Sequence, residues 1–464
     1  MPTEASAFRS KQIAYLSSLS HQKFTSKSTG LLLEKLLGKD LTNEQQINVE
    51  RSLYDYQIAS QLSASFVEKR SELISASYSA WVNARANQDA NIFLNAFEPL
   101  LDMKREEAEL RGYQDHPYDA MLNLYDKGLR VKTLDPLFQT LDKELQVLIS
   151  ECEERQEDYR HILKAEVPQN TQWEFSLDIL RKMKFDFNRG RQDISQHPFT
   201  ISLSPHDIRL TTHSSEKHIS PIIWGSIHEG GHALYEQGLP KSEYEGLPLG
   251  QAASLSIHES QARFWEVQIG KSIPFWNHLY PKLKQAYGSY APKEDVRSFL
   301  KAMHFLSPNL IRTEADELHY HRHIIIRYDI EKKLLENQLQ VDDLEAYWNQ
   351  QYLDKMGLKV SSPNQGILQD VHWAHGGLGY FPTYTLGSIY AAELFAKMKK
   401  DLTRIEEDIA AMDFSRVLEW LNTKIFRHGR KYESLELMEN ILGHQPVSSK
   451  LTDIYRQKMD VLYK

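Results

Sequence analysis

Apolar residues recur at spacings of three and four along most of the chain, and polar residues fill the positions between them. The spacing is regular from Ser6 to about Glu166, where it includes Ile13, Leu16, Leu19, Tyr54, Ile58, Leu62, Phe66, Ile74 and Trp81. Such a period predicts amphipathic helices that each bury one face. Turn signals interrupt it near 114–119 and 127–129, and the pair Asp135-Pro136 predicts a helix that begins at Pro136.

One segment has the period of a strand instead. Residues 197–204 and 208–212 alternate polar with apolar positions, and the residues between them can form a turn. This pattern predicts a β-hairpin. A sheet edge can hold an extended peptide through main-chain hydrogen bonds, so the hairpin is a candidate substrate shelf. A surface hairpin with no binding role fits the pattern equally well.

The stretch from Gly366 to Gly387 has neither period. It is dense in Gly, His, Trp and Tyr, which indicates a shaped loop, and loops of that composition often carry function. His372 or Tyr384 could donate a hydrogen bond to the oxyanion of a hydrolytic reaction. An aromatic-rich loop that serves packing alone is the other interpretation.

Composition narrows the function class. The 464 residues carry a net charge of −8, which argues against a general nucleic-acid binder. The one cysteine, Cys152, excludes an intrachain disulfide and a zinc site built from several cysteines. No run approaches the roughly 20 apolar residues of a membrane span. We therefore expect a cytoplasmic protein with neither nucleic acid nor membrane as a partner.

The segment 220–236 carries the sharpest chemical signal, the sequence HEGGH at 228–232. On a helix, His228 and His232 lie one turn apart on one face, so both imidazoles can reach one Zn²⁺. Glu229 is then placed to take a proton from the attacking water. Gly230 and Gly231 each lower helix propensity by roughly 1 kcal/mol relative to Ala, so helix formation alone does not explain them. A coincidental His pair on a surface helix is the competing interpretation.

A catalytic zinc needs a third protein ligand and keeps one position open for water. The carboxylates that follow His232 are Glu236, Glu243, Glu245, Glu259 and Glu266. We favour Glu259, because it lies on a second helical pattern beyond a chain reversal. A solvated helix residue is the alternative.

Residues 308–323 crowd ionisable groups onto a segment whose pattern predicts a helix. Asp316, His319 and His323 would then share a face, as a second metal site or, the reading we favour, as hydrogen-bonding groups. Asp316 is also a candidate to orient a ligating histidine. Arg312 could clamp a carboxylate, because a guanidinium matches it with two parallel hydrogen bonds.

Taken together, these stretches resemble the thermostable metallocarboxypeptidase family typified by carboxypeptidase Taq. Six ordered motifs carry the resemblance: His197–Phe199, Asp207–Thr211, His228–His232, His258–Gln261, Ile311–Asp316 and Gly366–Trp373. Ala262, Ala374 and His375 depart from the family pattern, and they put only fine substrate preference in doubt.

The resemblance implies a mainly α protein with a small sheet beside the metal site, in which residues 1–464 form one domain of two helical lobes around a deep groove. It implies a homodimer that binds Zn²⁺, with Co²⁺ as a substitute, and releases C-terminal amino acids from peptides with broad specificity. The expected metal ligands are His228, His232 and Glu259, and Glu229 is expected to activate the metal-bound water. The remaining roles follow the motifs: Arg312 grips the terminal carboxylate, His372 and Tyr384 stabilise the developing charge, and Asp207 and Arg209 help to close the groove.

Two alternatives remain at this point. An endo-acting zinc oligopeptidase on a similar helical fold would use the same HExxH chemistry. A non-catalytic helical scaffold with a structural zinc belongs to a different class, but such a site has four protein ligands and no use for Glu229.

Overall fold

In a computed structural model, which describes residues 6–195, 197–215 and 217–464, most of the chain is α-helical. The described residues fall into two compact units. The first unit comprises the described part of Met1–Pro136 together with Pro308–Ala315 and His319–Pro382. The second comprises the described part of Leu137–Ser307 together with Asp316–Leu318 and Thr383–Lys464. The predicted mainly α class is confirmed, whereas the single domain over 1–464 stays a prediction.

The described residues form nineteen α-helices. In chain order they are α1 Ser6–Phe24, α2 Lys27–Leu37, α3 Asn43–Ser60, α4 Ala64–Asn87, α5 Ala90–Arg111, α6 Pro117–Leu122, α7 Val131–Glu153, α8 Gln169–Lys182, α9 Ser220–Gly238, α10 Leu255–Arg263, α11 Ile273–Tyr287, α12 Val296–Met303, α13 His319–Leu335, α14 Leu344–Met356, α15 Pro382–Asp401, α16 Ile405–Ala411, α17 Ser415–Lys424, α18 Ser434–Leu442 and α19 Ser449–Leu462. A π-helical stretch, Phe264–Gly270, continues directly from α10.

Side-chain caps fix several of these helix starts. Thr42 and Gln45 form a reciprocal capping box at α3, and the Ser63 hydroxyl accepts from the amide of Phe66 at α4. The start predicted at Pro136 is wrong, since α7 begins at Val131. The Asp119 carboxylate accepts from the Val131 amide at 2.7 Å, which starts the helix a turn earlier and leaves Pro136 inside it.

The helix predicted across 308–323 is also shorter than expected. Arg312–Glu314 is a single 3₁₀ turn, and α13 begins only at His319. Asp316 accepts from the backbone amides of Ser307 and Leu318, so its carboxylate organises the turn before the helix. The face that was expected to hold Asp316 with His319 and His323 is therefore not formed.

A three-stranded sheet lies in the second unit, with strands β1 Gly190–Ile194, β2 Thr200–Ser204 and β3 Asp207–Thr212 in the order β1-β3-β2. The predicted hairpin is confirmed as β2 and β3, which pair antiparallel. β1 was not predicted, and it adds to the other side of β3 in parallel. On β2 the apolar side chains of Ile201 and Leu203 are exposed, while the polar ones between them face the protein.

Each unit has an aromatic core. In the first, Phe97 stacks on Trp373, and Trp348 packs edge-on against the same indole. In the second, Trp276 lies 4.6 Å from Phe299 between ring centroids, and Trp265 meets Phe414 edge-on. Burial of such large rings supplies much of the hydrophobic stabilisation. Among the described residues, no helix combines the length and apolarity that a bilayer crossing requires.

Candidate metal centre and its surroundings

Helix α9 carries the HEGGH segment in the second unit. Pro221 lies in its first turn, where the missing amide hydrogen costs nothing, and Ile222, Ile223 and Ile227 are fully or almost fully buried. This apolar face fixes the rotation of the helix. The rings of His228 and His232 lie on one side with their centroids 5.0 Å apart. The pairing predicted from the i, i+4 spacing is found.

Two glycines let neighbouring backbone approach this helix closely. A Cβ on Gly231 would lie 2.7 Å from both the Ala262 Cα and the Gln261 carbonyl oxygen of α10. A Cβ on Gly387, in α15, would lie 2.5 Å from Glu259 Cγ. Real Cβ atoms do not come so near, so both positions require glycine. These close approaches pack the Glu259 segment tightly against α9 and α15, which accounts for Gly231, one of the two glycines that helix propensity left unexplained.

The three side chains predicted to bind metal converge. The Glu259 carboxylate oxygen Oε2 lies 3.9 Å from His228 Nε2 and 3.5 Å from His232 Nε2. One ligand atom from each residue fits within 4.8 Å of the others. Within the described ranges this is the one group of His, Cys, Asp or Glu with metal-binding spacing. The part of the chain that the structure describes forms no second metal site near His319, and His323 instead pairs with the hydroxyl of Tyr352 at 2.7 Å.

The π-helical stretch explains how His228 is oriented. It places Glu266 so that its Oε2 lies 3.0 Å from His228 Nδ1, which directs Nε2 toward Glu259. Arg263 and Lys271 hold the same carboxylate at 2.8 Å and 3.3 Å. The sequence had offered Glu266 as a possible ligand. Its actual position is behind the histidine, where carboxylates commonly fix the tautomer of a ligating imidazole.

His232 is oriented by His258. Its Nδ1 lies 3.0 Å from the His258 carbonyl oxygen and 2.7 Å from His258 Nδ1. Glu236 takes a hydrogen bond from His258 Nε2 at 2.8 Å, so in a neutral His258 the Nδ1 atom accepts as well. Both neighbours of His232 Nδ1 then accept, and its lone pair lies on Nε2. Asp316, the candidate for orienting a ligating histidine, is therefore wrong for both rings.

Glu229 is buried beside His228 and His232, and β2 holds it. The Thr200 hydroxyl lies 2.7 Å from the carboxylate Oε2 and 3.1 Å from the Glu229 carbonyl oxygen. One strand position further on the same face, Ser202 contacts Lys241, which also pairs with Glu236. The polar face of β2 thus contacts the charged groups on and beside α9. Its apolar side chains, Ile201 and Leu203, lie on the opposite face and are exposed.

The electrostatics of the centre favour a bound cation. Burial lowers the pKa of His228, but Glu259, Glu266 and Glu229 outweigh it and raise the pKa to about 9. Burial and the neighbouring His258 lower the pKa of His232. In addition, Glu259 Oε1 is buried without a hydrogen-bond partner among the described residues. Two imidazole nitrogens and an unsatisfied carboxylate fit the donor set of a divalent metal with His₂Glu ligation.

A second cluster of predicted residues lies in the first unit, around Asp370. Arg312 donates from Nε and Nη2 to Asp370 Oδ1 at 3.1 and 2.8 Å, and its amide donates to Gln369. Arg327 donates from Nε to Asp370 Oδ2 at 2.8 Å. The two cations hold the pKa of Asp370 far below its usual range, although burial acts in the opposite direction. Two buried arginines around one carboxylate leave an excess of positive charge.

His372 belongs to this cluster, with its Nδ1 3.9 Å from Asp370 Oδ1. Burial, assisted by Arg312 and Arg327, lowers the pKa of His372 to about 3 despite Asp370. Glu331 fastens the loop between His372 and Tyr380, since it accepts from Trp373 Nε1 at 2.6 Å and from the Gly379 amide at 2.9 Å. Neither Glu331 nor Arg327 had been singled out from the sequence, because both lie on the ordinary amphipathic pattern of α13.

The other predicted residues are placed differently. Tyr384 lies in the second unit within the first turn of α15, which begins five residues before the expected end of the loop. Its side chain is half-buried. Asp207 and Arg209 form a two-bond ion pair with each other on the exposed face of β3, at 2.8 and 2.7 Å.

Comparison with known proteins gives one consistent result. Residues 1–459 match the family described as carboxypeptidase Taq (M32) metallopeptidase. Carboxypeptidase 1 of Bacillus subtilis is 35% identical over all of this chain and 93% of its own length. Thermostable carboxypeptidase 1 of Thermus thermophilus is 34% identical with the same coverage. The crystal structure of the M32 carboxypeptidase from Deinococcus radiodurans superposes with a TM-score of 0.94 at 32% identity, covering 100% of this chain and 93% of that one.

Proposed function

The chain belongs to the carboxypeptidase Taq (M32) metallopeptidase family and is a metallocarboxypeptidase, and from that premise we propose a zinc enzyme that releases C-terminal amino acids from peptides with broad specificity. The observation that carries the proposal is the convergence of His228, His232 and Glu259 next to the buried carboxylate of Glu229. His₂Glu ligation with an adjacent glutamate is the arrangement of catalytic rather than structural zinc.

His228, His232 and Glu259 would hold the metal, with Zn²⁺ as the expected ion and Co²⁺ as a substitute. A metal held there would polarise the scissile carbonyl and would lower the pKa of its water toward about 7. The chain prepares the site beforehand, because Glu266 and His258 hold the two Nδ1 atoms and leave both Nε2 atoms pointing at Glu259. This preorganisation lowers the cost of binding an ion.

Glu229 is the proposed general base and then general acid. Its carboxylate accepts a proton from the attacking water and delivers it to the nitrogen of the departing amino acid. The Thr200 hydroxyl fixes the direction of the carboxylate through its bond to Oε2. Glu229 lies on the same helix as the two histidines, but the proposed metal ligands are His228, His232 and Glu259 alone.

Arg312 is the proposed grip on the terminal carboxylate of the peptide, and His372 and Tyr384 are the proposed donors to the developing oxyanion. Two facts support the arginine: Arg312 is buried, and its cluster has two guanidinium groups for one carboxylate. A neutral His372 can still donate one N–H, as an oxyanion donor must. Arg209 and Asp207 are proposed to limit access to the groove between two helical lobes of a single domain.

Two further expectations belong to this proposal. The enzyme is expected to act as a homodimer, as members of the family usually do. It is expected in the cytoplasm, where the buried thiol of Cys152 stays reduced; burial raises the pKa of that thiol to about 11, which keeps it unreactive.

One peptide in two forms tests the reaction class. We expect mass spectrometry to show a ladder shortening from the C-terminus when the terminus is a free acid, and little cleavage of the same peptide as a C-terminal amide. Chelation should abolish the ladder, and added Zn²⁺ or Co²⁺ should restore it. Cleavage of internal bonds in both peptides would instead establish an endo-acting oligopeptidase. A protein that holds zinc but cleaves neither form would match a structural zinc site.

A further inference from the structure

A cavity of ≈ 570 Å³ opens on the surface of the first unit, among α1, α3, α4 and α5. Its walls include the apolar side chains of Leu16, Phe24, Leu62 and Val67. Two arginines, Arg70 and Arg111, also line it, together with Ser17, Ser20, His21 and Ala59. Every one of these residues precedes the segments used in the proposed reaction. The volume lies in the range of pockets that hold small organic ligands.

The two lining arginines belong to an unbalanced group of charges that is buried behind them. Glu107 is fully buried and receives Arg70 Nη1 at 2.5 Å, Arg111 Nη2 at 2.7 Å and Lys104 Nζ at 2.7 Å. Burial opposes its ionisation, yet the three cations lower the pKa of Glu107 to about 2, so it is charged. Among the described residues, Glu107 is the one carboxylate that these three cations contact. Three cations against one carboxylate leave a positive excess, which the cavity meets at Arg70 and Arg111.

Arg70 has capacity for a further anion. Only its Nη1 is used, by Glu107, and its side chain is 25% exposed. Arg111 is more enclosed, since it donates from Nε and Nη2 to Glu107 and from Nη1 to the Ile58 carbonyl. A guanidinium held from behind by a buried carboxylate is fixed in orientation, which suits the binding of a second carboxylate in front of it.

We propose that this cavity binds an organic anion that combines one carboxylate with an apolar chain, with the carboxylate on Arg70 and Arg111 and the chain along Leu16, Phe24, Leu62 and Val67. The positive excess at the two arginines attracts a carboxylate. The apolar walls favour a hydrocarbon chain over a small hydrophilic anion such as inorganic phosphate. This site goes beyond the peptidase activity, because none of its residues takes part in the proposed hydrolysis.

Calorimetric titration of the full-length protein with octanoate tests the proposal. We expect saturable binding of octanoate at least tenfold tighter than that of octanol or octylamine, which share the chain but lack the negative charge. Acetate and inorganic phosphate, which carry charge without the chain, should also bind at least tenfold more weakly. Equal binding of octanoate and octanol would overturn the charged half of the site, and phosphate as tight as octanoate would overturn the apolar half.

Variants locate the site. Arg70→Met and Leu16→Asp should each weaken octanoate binding tenfold or more, since one removes the cation and the other places a negative charge on the wall. Lys69→Met, an exposed neighbour of Arg70 on α4, is the matched control and should bind normally. Leu16 is 58% exposed, so its replacement should leave the fold intact if Arg70→Met unfolds. Octanoate binding that survives in Leu16→Asp, or falls equally in Lys69→Met, would place the ligand elsewhere.

Discussion

Two buried charge clusters in this protein have opposite sign, and the pKa values of the histidines in them, His228 and His372, show the difference. Around the candidate metal centre, carboxylates predominate and raise the pKa of His228 to about 9 against the effect of burial. Around Asp370, burial and two arginines lower the pKa of His372 to about 3. The first cluster attracts a cation and the second an anion. The surroundings, rather than the histidine itself, determine which chemistry each cluster can support.

The difference also separates the proposed roles of the histidines. His228 lies where positive charge is favoured, which suits a bound cation, and as a metal ligand its imidazole would be neutral. His372 stays neutral through the ordinary pH range, so it could stabilise an oxyanion only as a neutral hydrogen-bond donor. Any change in reaction rate with a midpoint near pH 6.5 should therefore arise from a group other than His372.

The largest expected effect comes from removing one carboxylate of the negative cluster. Glu229→Gln keeps the size of the side chain and its contact with Thr200, but it cannot accept a proton. We expect kcat to fall about 10³-fold while bound metal stays at the wild-type level, measured by peptide hydrolysis and metal analysis. Near wild-type turnover would rule out Glu229 as the base. Metal loss would mean that Glu229 is itself a ligand.

The corresponding test of the positive cluster replaces Arg312. In Arg312→Met, Asp370 keeps Arg327 as its partner, so no buried charge is left unpaired. KM for a peptide acid should rise on the order of 10²-fold, while KM for the amidated peptide changes little. Arg416→Met, an exposed arginine in the second unit, is the control. An equal rise in KM for the peptide acid and the amidated peptide would show that Arg312 does not bind the terminal carboxylate.

Glu266 tests how far the metal centre depends on the group behind His228. Glu266→Gln keeps a hydrogen bond to Nδ1 but removes the charge, and we expect metal affinity to fall about 10- to 100-fold. Competition with a chelator measures the affinity, and the exposed Glu243→Gln provides the control. If both variants hold metal alike, Glu266 only balances Arg263 and Lys271.

Substitution at the two close-packed glycines should disturb the geometry without changing any charge. Gly231→Ala and Gly387→Ala each force a Cβ into atoms of the Glu259 helix, which should cost up to about 3 kcal/mol of stability and weaken metal binding. Gly38→Ala is the control, because a Cβ there meets nothing nearer than 3.8 Å. Thermal unfolding with and without metal separates the two effects. Variants as stable as Gly38→Ala would show that the helices can move apart freely.

Much of this arrangement was predictable from local pattern. The i, i+4 spacing of His228 and His232 predicted their shared face, and the apolar period predicted the helical class. The convergence of Glu259 with them was predicted from its later helix and is found. Its role as ligand, like the other catalytic assignments, stays a prediction.

The rest depends on contacts between segments that a single sequence does not reveal. β1, with the sequence GRQDI, has no alternating apolar pattern that would predict a strand. It becomes a strand through its parallel pairing with β3. Gly231 makes sense only beside Ala262, and Glu266 reaches His228 only because the helix widens after Arg263. Helix α7 starts at Val131 because Asp119, distant from the expected start, caps it.

The smallest expected effect is on stability, and it tests whether the charge of Arg327 reaches Glu331 in the first unit. Glu331 is fully buried and its pKa is raised to about 7 by burial, against the hydrogen bonds of Tyr118, Gly379 and Trp373 and the charge of Arg327. A carboxyl whose folded pKa is raised stabilises the fold most below the unfolded pKa, and that contribution is lost as pH rises through the folded value. Glutamine does not titrate.

The stability of the wild type relative to Glu331→Gln should therefore fall by on the order of 1 kcal/mol between pH 5 and 8, measured by urea unfolding. The lowered pKa values of His372 and His304 favour the fold as pH rises, in the opposite sense, but both proteins contain them and the difference cancels. A difference independent of pH would mean that Arg327 keeps Glu331 ionised. The positive cluster would then extend along α13 behind the loop that carries His372, and its reach would be set by charge rather than by burial.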